Sequence, residues 1–413
     1  MPWTRAVVSL FIVASLSRAE DWPQWLGPRR DGASLERVVP WKTAPKVLWR
    51  QAVGEGFSMP VIAGERVFVH ARIRERDEEE VVAFEAKTGK QIWRDAYPRA
   101  PYVSAVSVGP QATPTVVLDR VYTFGITGIL SCYEAATGKR RWQVDAYKTF
   151  RAPLPTFGVC CSPLVVGDRV VVSVGGQGSS VVAFDTETGE VRWKALDEPA
   201  STASPVTFVR SQKPDALPEV VFATTLRVVG LNPLDGNLAW EYPLVFQPAG
   251  TSPTPVTTGN TIITSTTTNG TVAIRVDDKE SGPAPTREWQ NQELSGYFST
   301  PVMAGKDQLF LITNRLKPLP SCTLHCVDTK VGKDRWSKTG VGYFHAGLLS
   351  LEDGKILMLN DAGVLKLIEA SPREYRELAT AKACSATFVN PALSNGRLYV
   401  RDGKELICLQ VAE

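Results

Sequence analysis

The stretch "VVAFDTETGEVRW", residues 181–193, decides the fold, because it recurs along the chain. Close copies are "VVAFEAKTGKQIW" (81–93), "LSCYEAATGKRRW" (130–142), "VVGLNPLDGNLAW" (228–240) and "LHCVDTKVGKDRW" (324–336). In each copy an apolar run leads into a turn, and a Gly stands four residues before a Trp. This pattern predicts a strand, a tight turn with Gly at positive φ, and a second strand that carries a large aromatic residue.

Weaker copies extend the repeat in both directions. "TVAIRVDDKESGPAPTREW" (271–289) has a longer loop, "VLKLIEASPREY" (364–375) puts Tyr375 at the Trp position, and "KVLWR" contains Trp49 alone. The aromatic markers are therefore Trp49, Trp93, Trp142, Trp193, Trp240, Trp289, Trp336 and Tyr375. A repeat of about 40 to 50 residues made of strands and Gly turns is typical of β-propeller blades. Helical repeats are excluded because no unit shows a 3.6-residue apolar period.

A second motif gives an independent count. A short segment of small or hydroxyl residues, often with Pro, precedes an apolar strand in each unit, as in "ATPTVVLDRVYT" (112–123), "CSPLVVGDRVVV" (161–172) and "VNPALSNGRLYV" (389–400). Eight such segments occur, which matches the eight aromatic markers. The sequence therefore predicts an all-β, eight-bladed propeller of four-stranded blades.

The two ends of the chain predict how the ring closes. After Tyr375 only three strands remain before Glu413, and the missing fourth strand is "KVLWRQAV" near the start. The last blade should thus combine N- and C-terminal strands, near residues 46–53 and 405–411, which removes exposed sheet edges. We therefore assign residues 46–413 to the propeller. Residues 20–45 are interpreted as a packed lead segment over the ring.

Residues 1–19 have the features of a secretory signal peptide. Arg5 precedes an apolar run that is too short to span a bilayer, and Ser17-Arg18-Ala19 places small residues at the cleavage site. The sequence therefore predicts an exported, periplasmic or secreted, soluble monomer with no membrane span. With 46 basic and 43 acidic residues, the net charge of +3 gives no support for binding to nucleic acid.

The repeats resemble those of the pyrroloquinoline quinone (PQQ)-like propellers. "AFEAKTGKQIW" and "AFDTETGEVRW" match that family's A-x-D-x-x-T-G-x-x-x-W repeat, and the resemblance covers nearly the whole mature chain. It implies one of two functions. Quinoprotein alcohol dehydrogenases carry PQQ and calcium in the central funnel, whereas BamB-like propellers bind no cofactor and act as interaction scaffolds in the bacterial envelope. Fold alone does not choose between the two.

The cysteines have a structural and a functional interpretation. Cys132, Cys326 and Cys408 align with small residues of other repeats, so we interpret them as core positions. In "CTLHC" (322–326), alternation along a strand puts His325 on the opposite face from its cysteines, so no metal is expected. Cys160 and Cys161 could form a vicinal disulfide, and the dehydrogenases resemble this chain in having vicinal cysteines close to PQQ. The same pair could equally be small packing residues, which is the interpretation we favour.

The segments that precede the first strand of each blade, here called the funnel loops, carry the candidate site. By family geometry they should line the funnel, yet they are nearly devoid of charged residues, and only Glu55 and Asn390 could ligate calcium. A PQQ site needs basic residues, calcium ligands and a catalytic Asp. We therefore expect no cofactor, no metal and no catalytic residue, with PQQ and calcium bound only under the dehydrogenase alternative.

The funnel loops are instead rich in aromatic residues. The candidate ligand-binding residues are Phe57, Phe157, Tyr297, Phe298, Tyr343, Phe344, His345 and Phe388. Such a ring suits a shallow binding funnel for a protein or small-molecule partner, although the same residues could simply pack blade against blade. The sequence favours a noncatalytic binding propeller, with a quinoprotein dehydrogenase as the alternative.

Overall fold

The computed structural model describes residues 20–103, 106–210, 217–245, 253–279, 282–315 and 319–412. The predicted signal peptide, 1–19, lies outside the described residues. The strands form eight sheets with at least four strands each, which confirms the eight-bladed propeller. Among the described residues, no helix is long and apolar enough to cross a membrane.

The strands follow one another in chain order from blade to blade. Two precede the first complete blade: β1 (Ala33–Ser34) and β2 (Lys46–Ala52). Blade 1 contains β3 (Val61–Ala63), β4 (Arg66–Arg72), β5 (Glu78–Glu85) and β6 (Gln91–Pro98). Blade 2 contains β7 (Thr115–Val117), β8 (Arg120–Phe124), β9 (Ile129–Glu134) and β10 (Arg140–Asp145), followed by the helix α1 (Ala146–Thr149). Blade 3 contains β11 (Leu164–Val166), β12 (Arg169–Gly176), β13 (Ser179–Asp185) and β14 (Val191–Ala195).

The second half of the ring has the same order. Blade 4 contains β15 (Val206–Phe208), β16 (Glu219–Ala223), β17 (Arg227–Leu231) and β18 (Leu238–Pro243). Blade 5 contains β19 (Val256–Thr258), β20 (Thr261–Thr266), β21 (Gly270–Lys279) and β22 (Gly282–Asn291). Blade 6 contains β23 (Val302–Ala304), β24 (Gln308–Arg315), β25 (Ser321–Asp328) and β26 (Lys333–Gly342). Blade 7 contains β27 (Ala346–Leu351), β28 (Lys355–Asn360), β29 (Val364–Glu369) and β30 (Glu377–Lys382), and blade 8 begins with β31 (Ala392–Ser394), β32 (Arg397–Arg401) and β33 (Glu405–Gln410).

Blade 8 is completed by the N-terminal strand β2. It pairs antiparallel with β33, from Lys46 opposite Gln410 to Ala52 opposite Glu405. The predicted closure by both ends of the chain is therefore confirmed. The first strands of neighbouring blades contact one another, as β31 with β3 and β3 with β7, so they surround the centre of the ring.

The repeated Trp and Gly residues form contacts between neighbouring blades. Trp93 in blade 1 lies opposite Ala83 within its own sheet, and its Nε1 donates a hydrogen bond of 3.0 Å to the Ala135 carbonyl of blade 2. Cys132, Cys326 and Cys408 occupy the position opposite the Trp in their own blades and are fully buried. The prediction that these cysteines are small core residues is confirmed.

Blade 7 departs from the predicted alignment. Tyr375 lies in the turn before β30, and the residue opposite Leu367, where other blades have Trp, is Ala379. The assignment of Tyr375 to the Trp position was therefore wrong. The turn "SPRE" lacks the Gly that the other repeats use. Tyr375 instead contacts Trp336 of blade 6, with ring centroids 5.9 Å apart.

The lead segment passes through the centre of the ring. Trp22 forms a bridge with Ile62 of β3, the Pro23 carbonyl accepts the Val116 N–H of β7, and β1 pairs in parallel with β27. These contacts are with the first strands of blades 1, 2 and 7. The segment therefore occupies the channel that those strands surround.

Asp21 and Glu36 of the lead segment lie at the face of the ring away from the funnel loops. The Asp21 carboxylate accepts the Gly64 N–H at the β3–β4 turn, at 2.9 Å. The Glu36 carboxylate accepts the Asn395 and Gly396 N–H groups at the β31–β32 turn, at 2.5 and 2.6 Å. Each turn follows a first strand, whereas each funnel loop precedes one. The lead segment thus rises from the far face and returns to it.

Candidate functional site

The funnel loops surround a cavity of about 510 Å3. Seven of the eight predicted site residues line it: Phe57, Phe157, Tyr297, Phe298, Phe344, His345 and Phe388. They come from the loops of blades 1, 3, 6, 7 and 8, which are far apart in sequence. The fold therefore brings these aromatic residues together at the end of the channel opposite to the far-face turns.

Tyr343 is the predicted site residue that does not line the cavity. Its side chain is 60% exposed, whereas its backbone N–H donates to the buried Asp361 carboxylate at 3.0 Å. Asp361 also accepts the Phe344 N–H, at 2.6 Å. This carboxylate fixes the blade 7 loop so that Phe344 lies at the cavity and Tyr343 on the rim.

The aromatic side chains contact one another across blade boundaries. The rings of Phe57 and Phe388 have centroids 5.4 Å apart, and Phe344 lies 6.4 Å from Phe388. Tyr297 and Phe298 of blade 6 meet edge to face at 4.5 Å. Such contacts stabilise an aromatic wall. The residues thus contact neighbouring blades and line the cavity at the same time.

Hydroxyl side chains immediately before Pro hold the funnel loops in register. Thr113 Oγ1 accepts the Met59 N–H at 3.1 Å, and Ser162 Oγ accepts the Thr113 N–H at 2.9 Å. Ser204 Oγ accepts the Ser162 N–H at 3.0 Å, so the links run from blade 1 to blade 4. The hydrogen bonds supply a physical reason for the Ser/Thr-Pro motif, because they satisfy buried N–H groups between blades.

The link between blades 6 and 7 involves a histidine. Ser299 Oγ accepts the Ala346 N–H at 3.2 Å and lies 3.1 Å from His345 Nδ1. His345 stacks on Phe388, with centroids 6.0 Å apart, and its buried Nε2 has no hydrogen-bond partner among the described residues. Burial lowers the pKa of His345 to about 4, although Asp361, the Phe298 carbonyl and Asn390 oppose that effect. The imidazole is therefore neutral at pH 7.

The Ser299–His345 pair does not have the geometry of a hydrolase site. Ser299 is 1% exposed and does not line the cavity, so its hydroxyl cannot reach a ligand there. In a nucleophilic serine site the hydroxyl must face the substrate. Here the imidazole lines the cavity and the hydroxyl lies behind it. The pair can orient the ring but has no accessible nucleophile.

Cys160 and Cys161 lie in different surroundings. Cys160 is partly buried and lines the cavity, whereas Cys161 is 1% exposed and packs in the core between blades 3 and 4, with Val220 and Phe222. Their thiols are free in this structure. Burial raises the pKa of Cys160 to about 12 and that of Cys161 to about 11. Both thiols are therefore protonated at pH 7, which makes them poor nucleophiles.

The residues of the cavity do not fit PQQ and calcium. No Asp, Glu, Lys or Arg is among the described residues that line it, and residues 246–252, which are not described, include no charged side chain either. Glu55 forms an ion pair with Arg72 at 3.0 Å and does not line the cavity. Asn390 does line it, but an amide alone makes a poor calcium site. The described lining therefore offers no Lys or Arg side chain to pair with the three carboxylates of PQQ.

No other cluster in the described part of the chain has the ligands of a metal site. Groups of three or more His, Cys, Asp or Glu side chains with suitable spacing are absent there. His325 of "CTLHC" bonds Thr313 at 2.9 Å and Asp334 at 2.7 Å. These bonds use both ring nitrogens, so His325 has a structural role.

Six residues that line the cavity were not assigned from the sequence: Trp25, Val106, Gln111, Thr202, Ser204 and Thr300. Trp25 of the lead segment lines it, and its Nε1 donates to Thr254 Oγ1 at 2.8 Å. Gln111 lines it from the blade 2 loop and donates to the Phe157 carbonyl. The density of Trp and Pro in "EDWPQWLGP" was the available signal for Trp25.

Comparisons with solved structures agree with the fold. BamB from Moraxella catarrhalis matches with a TM-score of 0.58 and 14% identity, over 88% of this chain and 99% of that one. The quinohemoprotein alcohol dehydrogenase from Comamonas testosteroni matches with a TM-score of 0.64 and 13% identity, over 97% of this chain and 82% of that one. At these identities the likeness shows the fold alone.

The sequence comparisons identify the family to which the chain belongs. The quinohemoprotein alcohol dehydrogenase ADH IIB of Pseudomonas putida is 28% identical over 131 residues, which span 30% of this chain and 18% of that relative's length. The family model described as outer membrane protein assembly factor BamB matches residues 36–122 and 77–338, which is more than half of the chain. The protein therefore belongs to the family of PQQ-like repeat propellers that this model describes.

Proposed function

We propose that this protein is an exported, noncatalytic binding propeller that takes a ligand into its funnel. The observation that carries the proposal is the aromatic, uncharged cavity of about 510 Å3 where the funnel loops meet. Its volume lies within the range of small-ligand sites, and aromatic walls with a few polar groups are typical of such sites. The ligand is a small molecule or a group carried by a partner protein.

Burial of apolar surface is the main source of affinity in this proposal. Phe57, Phe298 and Phe344 each present a partly exposed ring to the cavity. Such rings contribute large contact areas at a low cost in side-chain entropy. A partner protein that covers the opening would also contact Tyr343, which is exposed on the rim.

The proposal can be tested with Nile red, an uncharged dye that fluoresces in apolar surroundings. We expect saturable binding that weakens about 10-fold in each of Phe57→Ala, Phe298→Ala and Phe344→Ala. Tyr343→Ala is the matched control, since this neighbour of Phe344 lies outside the cavity, and it should leave dye binding unchanged. Wild-type protein that binds no dye, or variants that all bind equally, would contradict the proposal.

A quinoprotein dehydrogenase is the second candidate, favoured by the 131-residue similarity to ADH IIB. The uncharged lining of the cavity argues against it. Incubation with PQQ and calcium chloride followed by gel filtration separates the two candidates. We expect no quinone absorbance in the protein fraction, whereas stoichiometric retention with PQQ-dependent dye reduction would establish the dehydrogenase.

A further inference from the structure

The lead segment supplies the part of the cavity that the blades do not. Within it, Arg30 is 3% exposed and donates from Nη1 to the Pro163 carbonyl at 2.9 Å, at the funnel loop of blade 3. The segment therefore reaches from the far face up to the level of the funnel loops. Its return to the far face at Glu36 means that it closes the channel beneath the cavity.

Trp25 is the residue of this segment that lines the cavity. The indole N–H of Trp25 donates a hydrogen bond of 2.8 Å to Thr254 of blade 5. Nearby in the segment, Trp22 forms a bridge with blade 1, and the Pro23 carbonyl accepts a hydrogen bond from blade 2. The Trp25 ring is partly buried. A fixed indole whose polar atom is already bonded offers an apolar face as a platform for another ring.

The described lining of the cavity contains no charged side chain that could pair with a charged ligand. Burial lowers the pKa of His345 to about 4, so that this residue is neutral at pH 7. A charged group that enters such a site loses its hydration without a partner. Uncharged groups avoid this cost.

We propose that Trp25 is a ligand-contacting residue that forms the floor of the funnel, and that the funnel selects an uncharged aromatic group that packs against it. This inference rests on the proposed binding function and adds the chemical class of the ligand. The aromatic group enters past Phe57 and Phe344 and ends at the indole.

Competition with Nile red tests the selectivity. The uncharged 2-acetylnaphthalene should displace the dye, whereas 2-naphthoate, which has a similar shape and a negative charge, should bind about 30-fold more weakly at pH 7. The tripeptide N-acetyl-Gly-Trp-Gly-amide forms a further arm. Displacement by the tripeptide as well indicates an aromatic side chain of a protein as ligand, and displacement by 2-acetylnaphthalene alone indicates a free small molecule.

Substitution of Trp25 tests whether its indole contacts the ligand at the floor of the funnel. Trp25→Ala should weaken 2-acetylnaphthalene binding about 10-fold, and Trp25→Phe, which keeps a ring, should recover most of the affinity. Trp41→Ala is the matched control, because Trp41 belongs to the same segment but does not line the cavity. In protein labelled with 5-fluorotryptophan, the fluorine resonance that is lost in Trp25→Phe belongs to Trp25. This resonance should shift when 2-acetylnaphthalene is added to the labelled wild-type protein, so the binding readout itself does not depend on a destabilised variant.

Each outcome bears on one of the two proposals. If 2-acetylnaphthalene binds and Phe57→Ala weakens it, but neither Trp25→Ala nor the fluorine resonance responds, the floor inference fails while the binding function stands. Equal affinity for the ketone and the carboxylate overturns the charge selectivity. If neither compound nor dye binds, the binding function itself fails.

Discussion

Gly138 in blade 2 lies so close to the indole of Trp93 in blade 1 that a methyl group on Gly138 would come within 2.5 Å of Trp93 Cδ2. The same relationship joins Gly89 to Trp49 and Gly189 to Trp142. Gly138 also has a φ of +75°, where other residues are strained. The Gly and the Trp of the repeat are therefore two halves of one contact between consecutive blades.

Gly138→Ala should consequently destabilise the protein for two reasons, backbone strain and overlap with the indole. Gly167→Ala is the matched control, since its φ is +58° but nothing lies within 4 Å of the added methyl group. We expect Gly138→Ala to lower the free energy of unfolding by about 1–3 kcal/mol more than Gly167→Ala does. Urea denaturation followed by circular dichroism measures both. Equal losses would show that the indole contact contributes nothing.

Closure of the ring can be tested on two neighbours in β2. Trp49 is 8% exposed and donates to the Ala86 carbonyl of blade 1 at 3.0 Å, whereas Arg50 forms an exposed ion pair with Glu405 at 3.0 Å. Trp49→Ala should cost about 3–5 kcal/mol of stability. Arg50→Ala should cost less than about 1 kcal/mol. A Trp49→Ala protein as stable as the wild type would contradict closure through β2.

Acid should weaken the junction of blades 1 and 2 through Glu79. Burial alone would raise the pKa of this carboxyl, but hydrogen bonds from Tyr97 at 2.7 Å and the Ile126 N–H at 3.0 Å, together with His70, lower it below its usual 4.5. The folded state therefore gains stability from Glu79 above about pH 4.5 and loses it as the pH falls through the lower folded-state pKa.

Glu79→Gln should thus flatten the dependence of the unfolding free energy on pH between about pH 5 and 3. Because Glu79→Gln also disturbs a buried hydrogen-bond network, this variant should be less stable than the wild type at pH 7. Glu374→Gln, at an exposed position, is the control and should keep the wild-type slope. Parallel slopes for wild type and Glu79→Gln would exclude this carboxyl as the source.

Alkylation kinetics test the state of the two adjacent cysteines. Burial raises the pKa of Cys160 to about 12, and only the thiolate reacts. Iodoacetamide at pH 8 should therefore modify Cys160 far more slowly in folded protein than in urea, as measured by peptide mass spectrometry. Labelling at equal rates in both conditions would contradict this protonation state.

The packing interpretation of the pair is tested by the double variant Cys160→Ala, Cys161→Ser. Because position 161 is buried, the serine hydroxyl introduced there should cost about 1–3 kcal/mol of stability. We expect the fold and Nile red binding to be retained. A quantitative disulfide between residues 160 and 161, combined with loss of a PQQ-dependent activity in the variant, would favour the dehydrogenase instead.

The sequence predicts the fold well because its signals are local. The turn Gly at positive φ and the Trp four residues later recur in blades 1, 2, 3, 4 and 6, and weaker copies mark the other blades, so the count and the closure of the ring follow from the pattern alone. Tyr375 was misplaced because its turn lacks that Gly, and the aromatic residue then falls outside the strand. Ala379, which takes the Trp position, carries no recognisable signal.

The site was predicted only in part, because some of its residues are placed by contacts between distant parts of the chain. Phe57, Phe298 and Phe388 precede first strands, so their place in the repeat predicts their place in the funnel. Trp25 belongs to no repeat, and its hydrogen bond to Thr254 joins residues that are 229 positions apart. Likewise, no pattern separates Tyr343, on the rim, from Phe344, at the cavity.

The path of the lead segment has a consequence for the order in which the molecule assembles. Residues 20–36 leave the ribosome before any blade, yet Glu36 can bind Asn395 and Gly396 only after about 360 further residues have been synthesised. Contacts between such distant residues form slowly, because a long loop must close first. A nascent chain that already contains blades 1 to 7 would therefore still have an open ring, and Glu36 would lack its partners at the β31–β32 turn. Competence to bind should therefore appear only after β31, β32 and β33 have been synthesised and β2 has paired with β33.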